Sequence, residues 1–317
     1  MQGNILDSSK VDFKSLKVRE IRGHKDKVHT VSWNCDGRRL ASGSVDRTAR
    51  IWNPERSTDS RYSVELRGHT NSVDQLCWDP THPDRLATAS IDKTVRIWDA
   101  RAGKCTHIIQ TSGENINICW SPDGKYIAVG NKDDLISFID TKQFKIEKTS
   151  KHDVEVNEIA WDHSGDYFFL TTGQGHVKIL EFPTLKPLHT LDAQTANCYC
   201  LEFDPMGRYL AAGGADALVT LWDLDEFVCV RSFDSLDWPV RTISFSYDGQ
   251  YLASASEDLV IDVSDVESGE SVHKIPCNAA TNTIAWHPSK YYLAFAGDEL
   301  DPRDGKAAGN LRVFGLY

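Results

Sequence analysis

What this 317-residue sequence lacks narrows its function first. No two cysteines form a CxxC pair, although there are eight: Cys35, Cys77, Cys105, Cys119, Cys198, Cys200, Cys229 and Cys277. Zinc ribbons and redox dithiols need that spacing, so the thiols read as small apolar residues in a reducing compartment. There is no GxxxxGK(S/T) loop, no GxGxxG after a strand, no HExxH and no GxSxG. These absences remove the common phosphate-cradling, zinc-hydrolase and nucleophile-elbow chemistries. The eleven histidines are dispersed, so no metal site and no cofactor are expected. No apolar run reaches the length of a membrane span. The opening MQGNILDSSK has no signal-peptide core, and its Gly3 is one place too late for myristoylation. The expectation is an intracellular protein without membrane contact. A basic excess is missing too: 35 Lys+Arg stand against 46 Asp+Glu, a net charge of -11. Tight nucleic-acid binding needs a basic face that displaces counterions from phosphates. Direct RNA binding is therefore expected to be weak or absent, and a protein partner is the better expectation.

What is present is a core-forming composition, 40% hydrophobic and 10% aromatic, organised by a repeat. The segment VSWNCDG recurs as LCWDPTHPD, ICWSPDG, IAWDHSG, LEFDPMG, ISFSYDG and IAWHPSK. Its aromatic anchors are Trp33, Trp78, Trp120, Trp161, Phe203, Phe245 and Trp286, spaced by 45, 42, 41, 42, 42 and 41 residues. Two residues before each anchor lies an aliphatic side chain, from Val31 to Ile284. Five before it are Val28, Val73, Asn115, Val156, Cys198, Val240 and Thr281, mostly β-branched or small. Period two, irregular at its start, predicts a strand there. Tight turns then lead to strands such as RRLASGS and QYLASAS, and on to TARIWN, TVRIWDA and LVTLWDL. Each unit reads as a meander of short antiparallel strands.

RGHKDKVHTVSWNCDGRRLASGSVDRTARIWN runs from a Gly-His pair to a Trp-Asn pair, and the next unit from Gly-His to Trp-Asp. The chain thereby resembles the WD-repeat family, which implies an all-β, seven-bladed β-propeller of four strands per blade. The last unit ends at LRVFGLY with no fourth strand, while SLKVREIRGH precedes the first anchor. Leu16 to Ile21 is therefore predicted to complete the last blade, closing the ring and removing an open edge. Residues 1–317 form one domain in this reading, with 1–14 as a tail and 15–22 as the closing strand.

The WD resemblance also accounts for residues that look catalytic. Blade one offers His24, Ser42 or Ser44, Asp46 and Trp52; blade two offers His69, Thr88 or Ser90, Asp92 and Trp98. One active site does not need the same set in neighbouring blades. The family implies a structural hydrogen-bond network here, which buried imidazole and indole N–H groups require. The set decays later: Asp133, Asp216 and Asp258 keep the turn aspartate, Gln174 replaces it, and Trp222 alone of the later blades keeps the tryptophan. His152, nine before Trp161, is the one later histidine in register. An enzyme is not expected.

Partner contacts are expected where loops depart from the repeat. SLDWPVR places Trp238, Pro239 and Arg241 where the first blades carry Gly-His turns. Trp and Arg are enriched among binding hot spots, whereas a plug over the adjoining blades is the competing reading for Trp238. The turn DELDPRDGKAAG lengthens blade seven and offers Glu299, Asp301, Arg303 and Asp304. NPERSTDSR, on the opposite face, reads as a mobile connector.

Several strings depart from the WD consensus, among them GENINICWSPDG, FDPMGRYLAAGGADALVTLWDLDE, LDWPVRTISFS and ASASEDLVIDV. They resemble the WD-repeat subunits of the THO assembly, the THO complex subunit 3 family. That resemblance implies a nuclear, non-catalytic scaffold of THO/TREX that couples transcription to mRNP processing and export. Its implied partners are the large helical THO subunits and, through them, a DEAD-box RNA helicase. A propeller that reads a modified peptide or degron is the alternative, and it calls for arginines converging on the central opening. Arg241 alone is weak support for that reading. A propeller enzyme would instead need His, Asp or Glu converging around the channel; the ring four residues before the anchors, His29, Asp74, Ile116, Asn157, Tyr199, Arg241 and Asn282, shows no metal site and suits a small polar ligand.

Overall fold

A computed structural model describes residues 11–301 and 305–316. These form seven antiparallel sheets of four strands each, set around a central channel. Among the described residues the helical content is two single 3-10 turns, Phe13–Ser15 and Ser60–Tyr62. The blade order follows the repeat: the first is built from Val28–Trp33, Leu40–Ser44, Thr48–Trp52 and Val64–Arg67, from the axis outward. Its second strand is buried at every position, because a blade is covered on both faces by its neighbours. Small residues such as Ala41 and Gly43 let the next blade approach: a Cβ on Gly43 would lie 2.8 Å from Val73 of blade two.

The irregular start of the innermost strands is a β-bulge. Pairing skips one or more residues between Val28 and Thr30, Val73 and Gln75, Asn115 and Asn117, Val156 and Ile159, Cys198 and Cys200, and Thr281 and Thr283. A bulge leaves its extra residue unpaired and re-aims the side chain. Here that residue is the one four before the anchor. Blade six differs: Pro239 has no N–H to give to a ladder, and the strand starts only at Thr242.

Closure takes the expected form. Val18–Arg22 pairs antiparallel with Asn310–Phe314, in the register Val18 to Phe314 and Arg22 to Asn310. The strand lies two residues further along than its left-hand prediction, since Leu16 and Lys17 form its approach. Arg312 ties the join by pairing with Glu20 at 3.2 Å and Glu299 at 2.5 Å. Phe13, placed in the tail by the sequence, is instead buried between blades six and seven, 4.8 Å from the ring of Tyr251. The tail's first ten residues lie outside the described ones. The connector at Asn53–Arg61 is tied down by an Asn53–Ser57 bridge and by Asp59, which caps the second 3-10 turn.

The core is divided among seven apolar clusters, one per seam between blades. The cluster of Ile21, Leu311 and Val313 with Val28, Trp33 and Trp52 joins the last blade to the first. Each blade therefore borrows half its packing from each neighbour, and a ring opened at one seam loses a full share of core. Ile21 is wholly buried, whereas Val18 on the same strand is exposed. Ile21→Ala should cost about 2–5 kcal/mol, as for other fully buried large-to-small changes. Val18→Ala should stay within about 0.5 kcal/mol. Equal effects of the two on urea denaturation midpoints would show that this strand does not hold the ring closed.

Candidate functional site

The triad-like residues of blades one and two assemble as structural networks. His24 Nδ1 donates to Asp46 Oδ2 at 2.9 Å, and Nε2 meets Ser42 Oγ at 2.7 Å. Trp52 Nε1 donates to the same Ser42 Oγ at 2.8 Å, and Lys25 N–H donates to Asp46 at 2.9 Å. Blade two repeats this with His69, Asp92, Thr88 and Trp98, at 2.8, 2.7 and 2.9 Å. The hydroxyls are thus Ser42 and Thr88, not Ser44 or Ser90. An ionised carboxylate only accepts, so the imidazole proton sits on Nδ1, and Ser42 or Thr88 donates to neutral Nε2 while accepting from tryptophan. The hydroxyl has no free proton or lone pair aimed at a substrate, and His24 and His69 are buried.

The later blades keep parts of this device. In blade five Gln194 stands nine before the anchor, where blade one has His24. It is buried and donates to Ala212 O at 2.6 Å, and Asp216 still accepts from Thr195 N–H at 2.8 Å. In blade three Asn131 carries out the turn capping by accepting from Asp133 and Leu135 N–H, both at 3.0 Å. His152 meets Ser150 Oγ at 3.3 Å, without a turn aspartate beside it. Blade six has Leu236 at the histidine position, buried in the seam between blades five and six. Its turn aspartate survives: Asp258 Oδ2 accepts from Asp237 N–H at 3.0 Å, Trp238 N–H at 3.1 Å and Ser256 Oγ at 2.7 Å.

That arrangement pins the backbone of Trp238 and leaves its ring outside. Trp238 is 55% exposed, which removes the reading as a plug. Leu259, beside Asp258 in the same turn, is 59% exposed, and Leu300 in the long turn of blade seven is 56% exposed. Hydrogen bonds link these positions across the face: Cys277 N–H donates to Leu259 O at 2.8 Å, and Asn278 Nδ2 to Glu299 Oε1 at 3.0 Å. The long turn folds back through a Leu300–Ala307 bridge, and Gly309 lies against blade one, where a Cβ would come 2.4 Å from His24 O. The two loops singled out in the sequence thus share one face of adjacent blades. Pro239 is half-buried behind Trp238, and Arg241 pairs with Glu257. Glu299 is engaged by Arg312 and Asn278 rather than displayed. Asp301 holds the turn through backbone bonds with Lys306 and Gly305. Arg303 and Asp304 lie outside the described residues. Leu259 and Leu300 escaped sequence reading because single leucines in turns carry no pattern.

On the same face, the channel mouth forms a depression of about 400 Å³ lined by Lys27, His29, Asp74, Ile116, Arg241, Asn282 and Asp298. Its charges neutralise one another: Lys27 pairs with Asp298 at 3.0 Å and His29 approaches Asp74 at 3.5 Å. The mouth holds one arginine, already paired, so the convergence that a phosphopeptide reader calls for is not seen among the described residues. No group of three potential metal ligands occurs among them either.

Deeper in the lumen lie two carboxyls that sequence reading missed. Gln75 of blade two reaches across to donate to Glu158 of blade four at 3.0 Å, and Ser244 lies 3.3 Å from Glu202. Both glutamates touch the narrow lumen, but protein surrounds them. Burial pushes Glu158 up to about 7 and Glu202 up to about 8. Burial likewise raises Cys77, Cys119 and Cys200, which makes these thiols poor nucleophiles.

The family model described as the THOC3 beta-propeller domain matches residues 24–296. Over 312 residues the chain is 56% identical to THO complex subunit 3 of Arabidopsis thaliana, covering 98% of this chain and 99% of that protein. It is 34% identical to WD repeat-containing protein AAC3 of Dictyostelium discoideum, over 98% of this chain and 70% of that one. Protein TEX1 of Saccharomyces cerevisiae is 21% identical over 86% of this chain and 70% of its own length.

The buried ionisable groups set opposite pH limits. Burial opposes the charge on Asp46 and Asp92, but hydrogen bonds from His24 and His69 outweigh it and hold both carboxyls well below the usual range. Their stabilisation is present above about pH 4 and lost as the pH falls towards the folded values. Burial also lowers His69, so its contribution is lost as the pH falls below about 6.5. Glu158 and Glu202 are raised, and their contribution is lost as the pH rises through about 7 and about 8. Melting temperature should therefore decline on both sides of a maximum. Glu158→Gln with Glu202→Gln should flatten the alkaline limb and spare the acid one. An alkaline limb unchanged in that double variant would contradict the assignment.

Proposed function

The chain belongs to the THO complex subunit 3 family of β-propellers, and from that premise we propose that it is a non-catalytic scaffold subunit of the THO/TREX assembly. It serves mRNP processing and mRNA export in the nucleus through protein contacts. The face of blades six and seven docks on the large helical THO subunits and, through them, brings the assembly's DEAD-box RNA helicase to the transcript. The observation that carries this choice of face is the exposed Trp238 ring, with Leu259 and Leu300 exposed on neighbouring turns of the same two blades. An indole fixed through its backbone loses little freedom on binding, and desolvating it supplies the kind of anchor that dominates protein interfaces.

Charge supports the same division of labour. A net charge of -11 disfavours phosphate contact, so RNA binding falls to other subunits. The histidine-aspartate sets are occupied in holding turns together and offer no reacting group. A rigid disc with several differentiated loops suits simultaneous contacts better than turnover.

Tagged protein purified from nuclear extract should bring down the other THO subunits in constant ratio. Trp238→Ala should weaken that recovery at least about tenfold, as for an interface anchor, with the melting temperature preserved. Full recovery with the variant would remove Trp238 from the interface. Absence of THO subunits from the wild-type preparation would overturn the scaffold assignment itself.

A further inference from the structure

The face opposite Trp238 carries a second feature. Between blades four and five the strand-connecting turns enclose a groove of about 410 Å³ lined by Tyr167, Phe169, Leu188, His189, Phe203 and Phe227. Tyr167, Leu188 and Phe227 are each more than a third exposed, and Met206, in a neighbouring turn, is exposed too. The equivalent seam between blades two and three holds a depression of similar size, about 430 Å³, with a more charged lining in which Asp84, Arg85 and Arg101 stand beside Trp98, His107 and Phe144. There Arg85 stands at the position of Tyr167 and pairs with Asp79 at 3.1 Å, while Arg101 pairs with Asp84 at 3.2 Å. Ion pairs flank the aromatic rings in that groove, whereas the walls of the groove between blades four and five are mainly apolar.

Phe227 adds a conformational argument. It sits at φ 55, in the left-handed region, at a turn position held by Gly103 and Gly269 in blades two and six and by Phe144 and Leu185, also at positive φ, in blades three and four. Bulky residues rarely adopt that conformation, yet Phe227 uses it to stack on His189, with ring centres 5.1 Å apart, and keeps part of its ring in solvent. The rim is mainly acidic. The four turns 162–167, 181–186, 204–209 and 223–228 present six carboxylates, Asp162, Asp166, Glu181, Asp223, Asp225 and Glu226, against Lys186 and Arg208, while Asp204 is buried. Arg208 is taken by Asp204 in its own turn.

We propose that this groove binds a basic amphipathic helix of a protein partner, which seats apolar side chains among Tyr167, Leu188 and Phe227 and sets its lysines or arginines against the acidic rim. Apolar walls cannot satisfy an extended backbone, whereas a helix satisfies its own. The cavity lies within the roughly 300–1,000 Å³ of ordinary binding pockets, and electrostatic complementarity selects the charge of the occupant. This inference does not rest on the docking role of blades six and seven, because the groove opens on the other face.

The test uses the full chain and a fluorescent synthetic helix of leucine and lysine with one apolar stripe. A leucine–glutamate counterpart and a scrambled leucine–lysine peptide serve as controls. Anisotropy should show saturable binding of the first peptide alone, weakened by salt. Leu188→Glu and Phe227→Gly should each reduce affinity at least tenfold without lowering the melting temperature; the second installs the residue that blades two and six already use. Trp238→Ala should bind as wild type does, which separates this groove from the other face. A photoreactive leucine in the peptide should cross-link to 162–169, 186–190 or 223–228. Equal binding of the scrambled or acidic peptide, unchanged affinity in both groove variants, or cross-links mapping elsewhere would each overturn the proposal.

Discussion

Everything this protein displays depends on the pairing of Val18–Arg22 with Asn310–Phe314. A propeller blade has little core of its own: its two central strands are covered by the neighbours on either side. Seven seams satisfy seven blades only if the last meets the first. The closing strand brings Ile21 into the seam between blades seven and one, and the Glu20–Arg312–Glu299 pairs extend the join outward. Phe13 adds a wedge in the adjoining seam, packed on Tyr251 and beside Trp286 and Phe314. The result is a frame whose turns are fixed relative to one another, which is the property a scaffold needs.

Within that frame, specialisation arises where the repeat relaxes its own chemistry. His24 and His69 fix their loops through imidazole, hydroxyl and indole, and those loops have no side chain to spare. Blade six gives up the histidine for Leu236, which packs into the seam by the hydrophobic effect alone. Asp258 still holds the loop by its backbone N–H groups, so Trp238 is positioned without being consumed. A similar logic applies at Phe227, where an aromatic ring replaces turn glycine and opens an apolar surface. In both places a side chain is held by its turn and left partly in solvent.

The periodic features were legible in the sequence because they are local. The anchors from Trp33 to Trp286, the turn aspartates and the missing fourth strand of the last blade all follow from spacing along the chain. The channel was not legible, since Gln75 and Glu158 meet across the ring from blades that share no seam. Exposure was equally hidden: nothing in SLDWPVR distinguishes a plug from an anchor until the ring is seen outside the loop. Phe13 escaped because a single aromatic before the repeat has no period to belong to. The choice between Ser42 and Ser44, or Thr88 and Ser90, needed geometry as well, because both hydroxyls of each pair are buried.

If the closed ring works through the surface of blades six and seven, that surface must become covered in the assembly. Hydrogen–deuterium exchange, compared between the free chain and the chain within purified THO, tests it most directly. Exchange should slow in the assembly at 235–241, 257–260 and 299–301, with the innermost strands slow in both states. Unchanged exchange at all three segments, with protection confined to other blades, would contradict it.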